Sequence, residues 1–250
     1  MFKYAIAALP FVTLAAPFAQ AENSCEYGTH TFDIKTDAYY SDVCDTSINV
    51  IKWFEDQGYG DVNVNVNIEI AEAVIVPFFN DQGEVTAEAQ VFGLYNAGED
   101  LVVMTRWGSE YLNGRTAWLT DSADMSSGIP IDYDLWLSVV AHEVAHQALQ
   151  QIWTALNPTL AANISVLDSG LHEFVAYSVQ LSLMDEQARN AAIAQYPGAT
   201  AFPVITRLNG ILHAYHPHYF GVRSYLSMNE NKEWFNDIIA GKYSSFLTQM

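Results

Sequence analysis

A long apolar helix with ionisable residues at its centre is the feature that most constrains this sequence. Asp132 can cap a helix that runs from about Tyr133 to Trp153, and most of its positions are apolar. Such a helix is expected to be buried, yet it holds His142, Glu143 and His146. Buried helices rarely carry two histidines and a glutamate without a partner. The fold must therefore place a partner beside these side chains.

The spacing of the three residues indicates what that partner is. His142 and His146 lie four positions apart, so both imidazoles share one face of the helix and can reach one ion. Glu143 lies about 100° further around the helix axis and can flank that ion without sharing its coordination. This is the H-E-x-x-H pattern, in which two histidines bind zinc and the glutamate acts as general base.

A catalytic zinc site needs three protein ligands and one open position, so a third ligand must come from elsewhere. Asp168, His172 and Glu173 are the candidates in the next stretch of sequence. Glu173 is favoured, because Gly170–Tyr177 has the pattern of a helix in which the small Ala176 allows a second helix to approach closely. Asp168 is expected to cap the start of that helix.

These two helices resemble the gluzincin group of zinc metallopeptidases. The residues that carry the resemblance are His142-Glu143-x-x-His146 and the later Glu173-Phe-Val-Ala176. It implies that His142, His146 and Glu173 bind Zn2+ and that Glu143 is the catalytic base. It also implies a zincin-like α+β fold, with a strand-rich N-terminal lobe, a helical C-terminal lobe and zinc in the cleft between them.

The chain departs from the best-known patterns of such enzymes. Between His146 and Glu173 lie 26 residues, more than in the thermolysin-like pattern. The longer metzincin pattern is absent, because Leu149 and Ile152 stand where it has glycine and histidine. An aspzincin-like site with Asp168 as third ligand remains an alternative.

A peptidase also needs a group that stabilises the oxyanion formed when water attacks a carbonyl. The stretch from His213 to Tyr225 is rich in side chains that can do so. Tyr225 and His216 are the predicted oxyanion partners, with Arg223 as an alternative. A surface loop with scattered aromatic residues is the competing interpretation of this stretch.

Two weaker predictions concern the surroundings of the metal. A second metal could be bound by His213, His216 and His218, although Pro217 breaks the helical register between them. Asp134 and Asp168 are predicted to orient the zinc-binding histidines by hydrogen bonds.

The N-terminus predicts export. Lys3 precedes an apolar run, and Ala19-Gln20-Ala21 fits a signal-peptide cleavage site, so residues 1–21 are predicted to be removed. No later run is apolar enough to span a membrane. The two cysteines, Cys25 and Cys44, are expected to pair in an oxidising compartment, either the periplasm or the extracellular space.

The charge balance excludes several partners. The chain has 10 Lys+Arg against 29 Asp+Glu, a net charge of −19. Nucleic acids and anionic membrane surfaces are polyanions, so neither is an expected partner of the mature protein. With only two cysteines, a cysteine-ligated zinc site is excluded as well.

Strand patterns fill the first half of the chain and helical patterns the second. Strands are predicted at 61–70, 73–79, 89–95 and 101–105, and a short helix at Ser47–Gln57. Further helices are predicted at 133–153, from Thr159, and at 170–184, 185–195, 202–215, 221–227 and 231–239. The sequence therefore predicts one α+β domain over 22–250, strand-rich at 22–128 and helical at 129–250.

Together these features predict an exported zinc-dependent hydrolase, a peptidase that cleaves amide bonds in a peptide or protein substrate with zinc-bound water. Extended substrate is expected along a sheet edge, for which Ala89–Thr105 is a better candidate than Val62–Ile70. A non-catalytic zincin-like binding protein with an occluded or inactive cleft is the alternative. A structural exported domain in which the motif is accidental is a third hypothesis.

Overall fold

The structure is a computed structural model, and it describes residues 13–14, 21–36, 38–80, 82, 84–117, 128–163, 167–208 and 210–243. The predicted signal peptide lies almost entirely outside the described residues. None of the helices in the described ranges is long and apolar enough to cross a membrane.

The described residues form ten strands and eight α-helices. The strands are β1 (Thr13–Leu14), β2 (Ala21–Tyr27), β3 (His30–Thr36), β4 (Asn65–Ala71), β5 (Val74–Phe79), β6 (Val85–Val91), β7 (Gly93–Asn96), β8 (Leu101–Thr105), β9 (Thr116–Ala117) and β10 (Ile129–Pro130). The helices are α1 (Tyr40–Asp56), α2 (Tyr133–Leu156), α3 (Pro158–Ala161), α4 (Ser169–Leu183), α5 (Glu186–Ala194), α6 (Gly210–Tyr215), α7 (Pro217–Glu230) and α8 (Glu233–Ile239). The prediction of a mixed α and β fold is confirmed.

The largest sheet is mixed, with the strand order β2-β3-β4-β8-β7. The three central strands β3, β4 and β8 run parallel, while β2 and β7 pair antiparallel at the two edges. Two smaller antiparallel sheets, β1-β5-β6 and β9-β10, stand beside it. The edge strand β7 packs on α2, the helix that carries the histidines.

Helix α1 connects β3 to β4 and is longer than predicted. It begins at Tyr40, seven residues before the predicted Ser47, because Val43 already lies on the buried face that continues through Val50 and Phe54. The apolar spacing that predicts this helix starts only at Ile48, so the first two turns of α1 were not predicted.

Helix α2 is fastened to the sheet by two glutamines. The Gln151 side chain accepts a hydrogen bond from the backbone N–H of Asn65 (2.9 Å), and that of Gln147 accepts one from Asn67 (3.1 Å). Asp100, in the β7–β8 turn, completes the link, because its backbone carbonyl accepts from Gln147 and its carboxylate from Gln151. Strand β4 starts at Asn65, later than the predicted residue 61, because residues 61–64 form a turn and an irregular segment instead of pairing as a strand.

The second half is helical as predicted, with one correction. The predicted helix at 202–215 is wrong over its first part, where the chain forms only a short 3-10 helix at Ile205–Arg207 before α6 begins.

Helix α2 is capped by Asp132, whose side chain accepts a hydrogen bond from the N–H of Leu135 at 2.8 Å. One cluster of buried apolar residues includes side chains of both the large sheet and the helices.

A disulfide joins Cys25 of β2 to Cys44 of α1, as the sequence predicted. The bond ties an edge strand of the large sheet to the helix that crosses it.

Replacing both Cys25 and Cys44 by serine is expected to lower the free energy of unfolding by about 3 kcal/mol, because the cross-link no longer restricts the unfolded chain. Urea denaturation of the variant and of the parent measures the difference. The parent treated with a reducing agent should unfold at the same urea concentration as the variant. A variant as stable as the oxidised parent would show that the cross-link contributes nothing.

Candidate metal centre

Two neighbouring helices bring the three predicted ligands together. His142 and His146 project from one face of α2, and Glu173 projects from the first half of the adjacent α4. Their ligand atoms, the Nε2 atoms of the histidines and Oε2 of Glu173, lie within 4.8 Å of one another. Both histidines are buried, and the Glu173 side chain is 19 % exposed.

The distances within this group suit a metal ion. Nε2 of His142 lies 3.1 Å from Nε2 of His146, and Oε2 of Glu173 lies 3.3 and 3.6 Å from these two nitrogens. Metal–ligand bonds of about 2.0–2.1 Å at tetrahedral angles place ligand atoms about 3.3 Å apart. Within the described part of the chain, the buried Oε2 has no hydrogen-bond partner. A cation satisfies all three electron-rich atoms, so this group can hold a metal ion.

The same proximity shifts the pKa of the carboxylate. Burial alone would raise the pKa of Glu173, but the imidazoles of His146, His142 and His213 hold it well below its usual range. For His146, burial would lower the pKa, yet the carboxylates of Glu173 and Glu143 together outweigh burial and raise it. Glu173 is therefore ionised at neutral pH, as a metal ligand must be.

Glu143 stands beside this group and outside it. The residue is 9 % exposed, and burial raises the pKa of its carboxyl despite the opposing effect of His142 and His146. A backbone N–H of the edge strand, that of Tyr95, hydrogen-bonds to the carboxylate. A carboxylate with a raised pKa next to a candidate metal-binding group is well suited to accept and return a proton.

Gly93 of β7 provides the space for Glu143. A Cβ atom built on Gly93 would lie 2.8 Å from Cγ of Glu143 and 2.6 Å from Sδ of Met104. Both distances are shorter than contacts in real proteins, so only glycine fits where the strand passes the glutamate.

Tyr95 organises the site from the sheet side. Its ring stacks on the imidazole of His146, with centroids 6.4 Å apart and an interplanar angle of 10°. It also stacks on His172 at 6.4 Å. The tyrosine hydroxyl donates a 3.0 Å hydrogen bond to Asp100, which fixes the ring.

Tyr177 and His213 form the opposite wall. The Tyr177 ring meets His142 edge-on, with centroids 4.5 Å apart, and lies 5.8 Å from the ring of His213. Nε2 of His213, on α6, is 3.4 Å from Oε2 of Glu173. The pKa of His218 falls to about 4, chiefly because its partly buried position disfavours the charged form and also because His213 and His142 lie near it.

The two predicted oxyanion partners lie at different places along α7. His216 is exposed and is the capping residue just before the first turn of α7. Tyr225 lies further along α7, where the Arg189 guanidinium sits 5.9 Å from its ring centroid. Arg223 donates to the carbonyls of Thr200 and Ala201.

The alternative ligands have other contacts. The Asp168 side chain caps α4, as predicted, by accepting from the N–H of Gly170 at 2.9 Å. His172 contacts His146 on the side away from His142 and Glu173, with 3.2 Å between their Nδ1 atoms. Asp134 is exposed in the first turn of α2, about 12 Å along the helix from His142.

Sequence reasoning missed Gly93 and Tyr95, and it gave Gln150 no role. Signals for two of them were present. An isolated glycine in a strand pattern indicates close approach of another group, which is the situation of Gly93. Gln150 continues the stripe of His142 and His146 at the same spacing of four on a buried helix.

Two histidines and a carboxylate, with a second carboxylate alongside, define a candidate metal centre of the two-histidine, one-carboxylate type. A family model described as a family of unknown function (DUF6639) matches residues 31–246, and the chain belongs to that family. The matched range includes every residue of this centre. No curated protein and no solved structure was found to match the chain.

Replacing Gly93 by alanine is expected to lower the free energy of unfolding by about 1–3 kcal/mol, because the added methyl group overpacks Glu143 and Met104. Gly198→Ala is the matched control, since a Cβ at Gly198 meets nothing within 4 Å. Urea denaturation of both variants measures the difference. Equal stability of the two would show that the strand can move away from Glu143 without cost.

Proposed function

We propose that this chain is an exported zinc-dependent hydrolase, a peptidase with a gluzincin-like centre. The observation that carries the proposal is the convergence of His142, His146 and Glu173 on one point, with Glu143 beside them. Two neutral imidazoles and one carboxylate are a ligand set that zinc takes in catalytic sites. The raised pKa of Glu143 supports its role as general base.

The chemistry divides between the metal and the protein. Bound zinc would act as a Lewis acid and lower the pKa of a coordinated water to about 7. Glu143 accepts the proton of the attacking water and then passes it to the nitrogen of the leaving amine. The Tyr95 N–H bond and the methyl-free surface of Gly93 hold the Glu143 carboxylate in position for both transfers.

The edge strand offers a place for an extended substrate. Strand β7 ends the order of the large sheet, and within the described residues its outer edge pairs with no other strand. It runs past Glu143, so a peptide added to that edge would have its backbone beside the metal centre. A mixed sheet with an antiparallel edge strand over the histidine helix supports the zincin-like arrangement that the sequence resemblance implies.

His213 is the best placed group for the oxyanion. It lies 3.4 Å from the Glu173 carboxylate but does not belong to the group of mutually close ligand atoms. An imidazole beside the metal ligands can donate a hydrogen bond to a developing negative charge. His213 lies in α6, which ends at Tyr215, one residue before His216 caps the start of α7.

Export is proposed from the predicted signal peptide together with the Cys25–Cys44 disulfide. Disulfides persist in oxidising compartments such as the periplasm or the extracellular space.

Glu143→Gln tests the general-base role. The parent should bind about one zinc per chain, and the variant should bind the same amount, because Glu143 is not a ligand. Its kcat on a broad peptide library should fall by about 10²–10⁴-fold, because the amide cannot accept the proton. Zinc analysis and mass spectrometry of the library provide the two readouts.

The control for this variant is Glu186→Gln, which changes an exposed glutamate of α5. A Glu143→Gln protein that cleaves the library as well as the parent would show that another group is the base. A parent that binds zinc and cleaves nothing would instead favour the non-catalytic binding protein.

His213→Phe tests the oxyanion role. Its kcat should fall by about 10²–10³-fold with zinc content unchanged, because the donor to the oxyanion is lost while the ligands remain. Tyr225→Phe and His216→Gln, measured in parallel, decide between His213 and the partners predicted from sequence. If His213→Phe loses zinc, the histidine is a fourth ligand; if it retains full kcat while one of the others loses it, the sequence prediction stands.

A further inference from the structure

A line of hydrogen bonds runs from the metal ligand His146 into the core. Its Nδ1 lies 3.2 Å from Nδ1 of His172, and Nε2 of His172 lies 3.0 Å from Oε1 of Gln150. All three residues are buried, at 8 % exposure or less. His172 immediately precedes Glu173 in sequence, yet it faces the opposite nitrogen of His146 from the one that Glu173 faces.

The hydrogen bonds of Gln150, at the inner end of this line, decide which groups along it donate and which accept. The backbone N–H of Leu167 donates to Oε1 of Gln150 at 3.3 Å, and Nε2 of Gln150 donates to the hydroxyl of Thr154 at 3.1 Å. A backbone N–H can only donate, so the amide must turn its oxygen towards Leu167 and, with it, towards His172. The Nε2 atom of His172 must therefore carry the proton and donate.

The positions of the protons on His172 and His146 then follow from this direction of donation. The two ring nitrogens of His172 contact an amide oxygen and another imidazole, and neither is an anion that would favour an imidazolium. A neutral imidazole with its proton on Nε2 has a free lone pair on Nδ1. That lone pair accepts a hydrogen bond from the protonated Nδ1 of His146, which leaves Nε2 of His146 bare and directed at His142 and Glu173.

We propose that His172 is a positioning residue that, through Gln150, holds His146 in the tautomer whose bare Nε2 binds the metal. This inference rests on the proposed function, since it concerns the ligand set of that centre. Partners of this kind usually are carboxylates or backbone carbonyls, and here an imidazole oriented by an amide takes that place.

The two histidine ligands differ in this respect. Nδ1 of His142 has no hydrogen-bond partner among the described residues, and its ring is held by the edge-on contact with Tyr177. A hydrogen bond at Nδ1 thus orients His146 before the metal binds, whereas the described residues give Nδ1 of His142 no such partner.

Zinc affinity measures the effect of His172 by competition with a chelator at fixed pH. His172→Phe keeps a flat ring but removes the acceptor, and its Kd for zinc should rise about 10–100-fold. His172→Asn keeps an acceptor oxygen close to the position of Nδ1 and should recover most of the affinity. The control is His30→Phe, which removes another buried histidine, one whose Nδ1 accepts from the N–H of Val64, and should leave the Kd unchanged.

Nitrogen NMR of the parent, labelled at its histidines, reads the tautomer directly and does not depend on any variant folding. With zinc bound, His146 should show a protonated Nδ1 coupled to His172 and a coordinated Nε2. Coordination through Nδ1 of His146, or a His172→Phe variant whose Kd stays within about threefold of the parent, would overturn the proposal. If the parent binds no zinc, the proposed function itself is wrong. If the parent binds zinc and replacing His172 does not change the Kd, only this inference is wrong.

Discussion

Three electron-rich atoms lie close together in the interior of this protein, and the surrounding helices and edge strand pack around them. Two imidazole nitrogens and a carboxylate oxygen lie 3.1–3.6 Å apart in a buried site. Without a cation or a shared proton, their lone pairs repel one another in a medium where charges are poorly screened. The close packing of α2 against α4, the edge strand β7 and the lone α6 histidine all converge on this point.

The ligand group was predictable because its signal is local. A spacing of four on one helix places His142 and His146 together, and a second helix that starts at a capping aspartate supplies Glu173. The partners from other elements were not predictable. Tyr95 and Gly93 reach Glu143 only because β7 pairs antiparallel with β8 at the edge of the sheet, and sequence periodicity does not reveal which strand takes the edge.

The stretch from His213 to Tyr225 is a second case in which sequence alone did not show which residues lie near the centre. Its composition led to the prediction of an oxyanion group, but which of its side chains lies beside Glu173 depends on where one helix ends and the next begins. His213, before the helix break at His216, lies beside Glu173, whereas Tyr225, after the break, lies beside Arg189. Likewise, alternation predicted β4, while its parallel pairing with β3 depended on α1 crossing between them.

Asp100 connects the edge strand β7 to the helix α2 through hydrogen bonds. It accepts a hydrogen bond from the Tyr95 hydroxyl and others from Gln147 and Gln151 of α2, so the edge strand and the helix of the two candidate ligands are joined through one residue. A peptide aligned on β7 would therefore be in register with His142 and His146 without any hinge movement. His213 belongs to α6 and contacts Glu173 of α4, so the hydrogen bonds of Asp100 do not fix its place in the site.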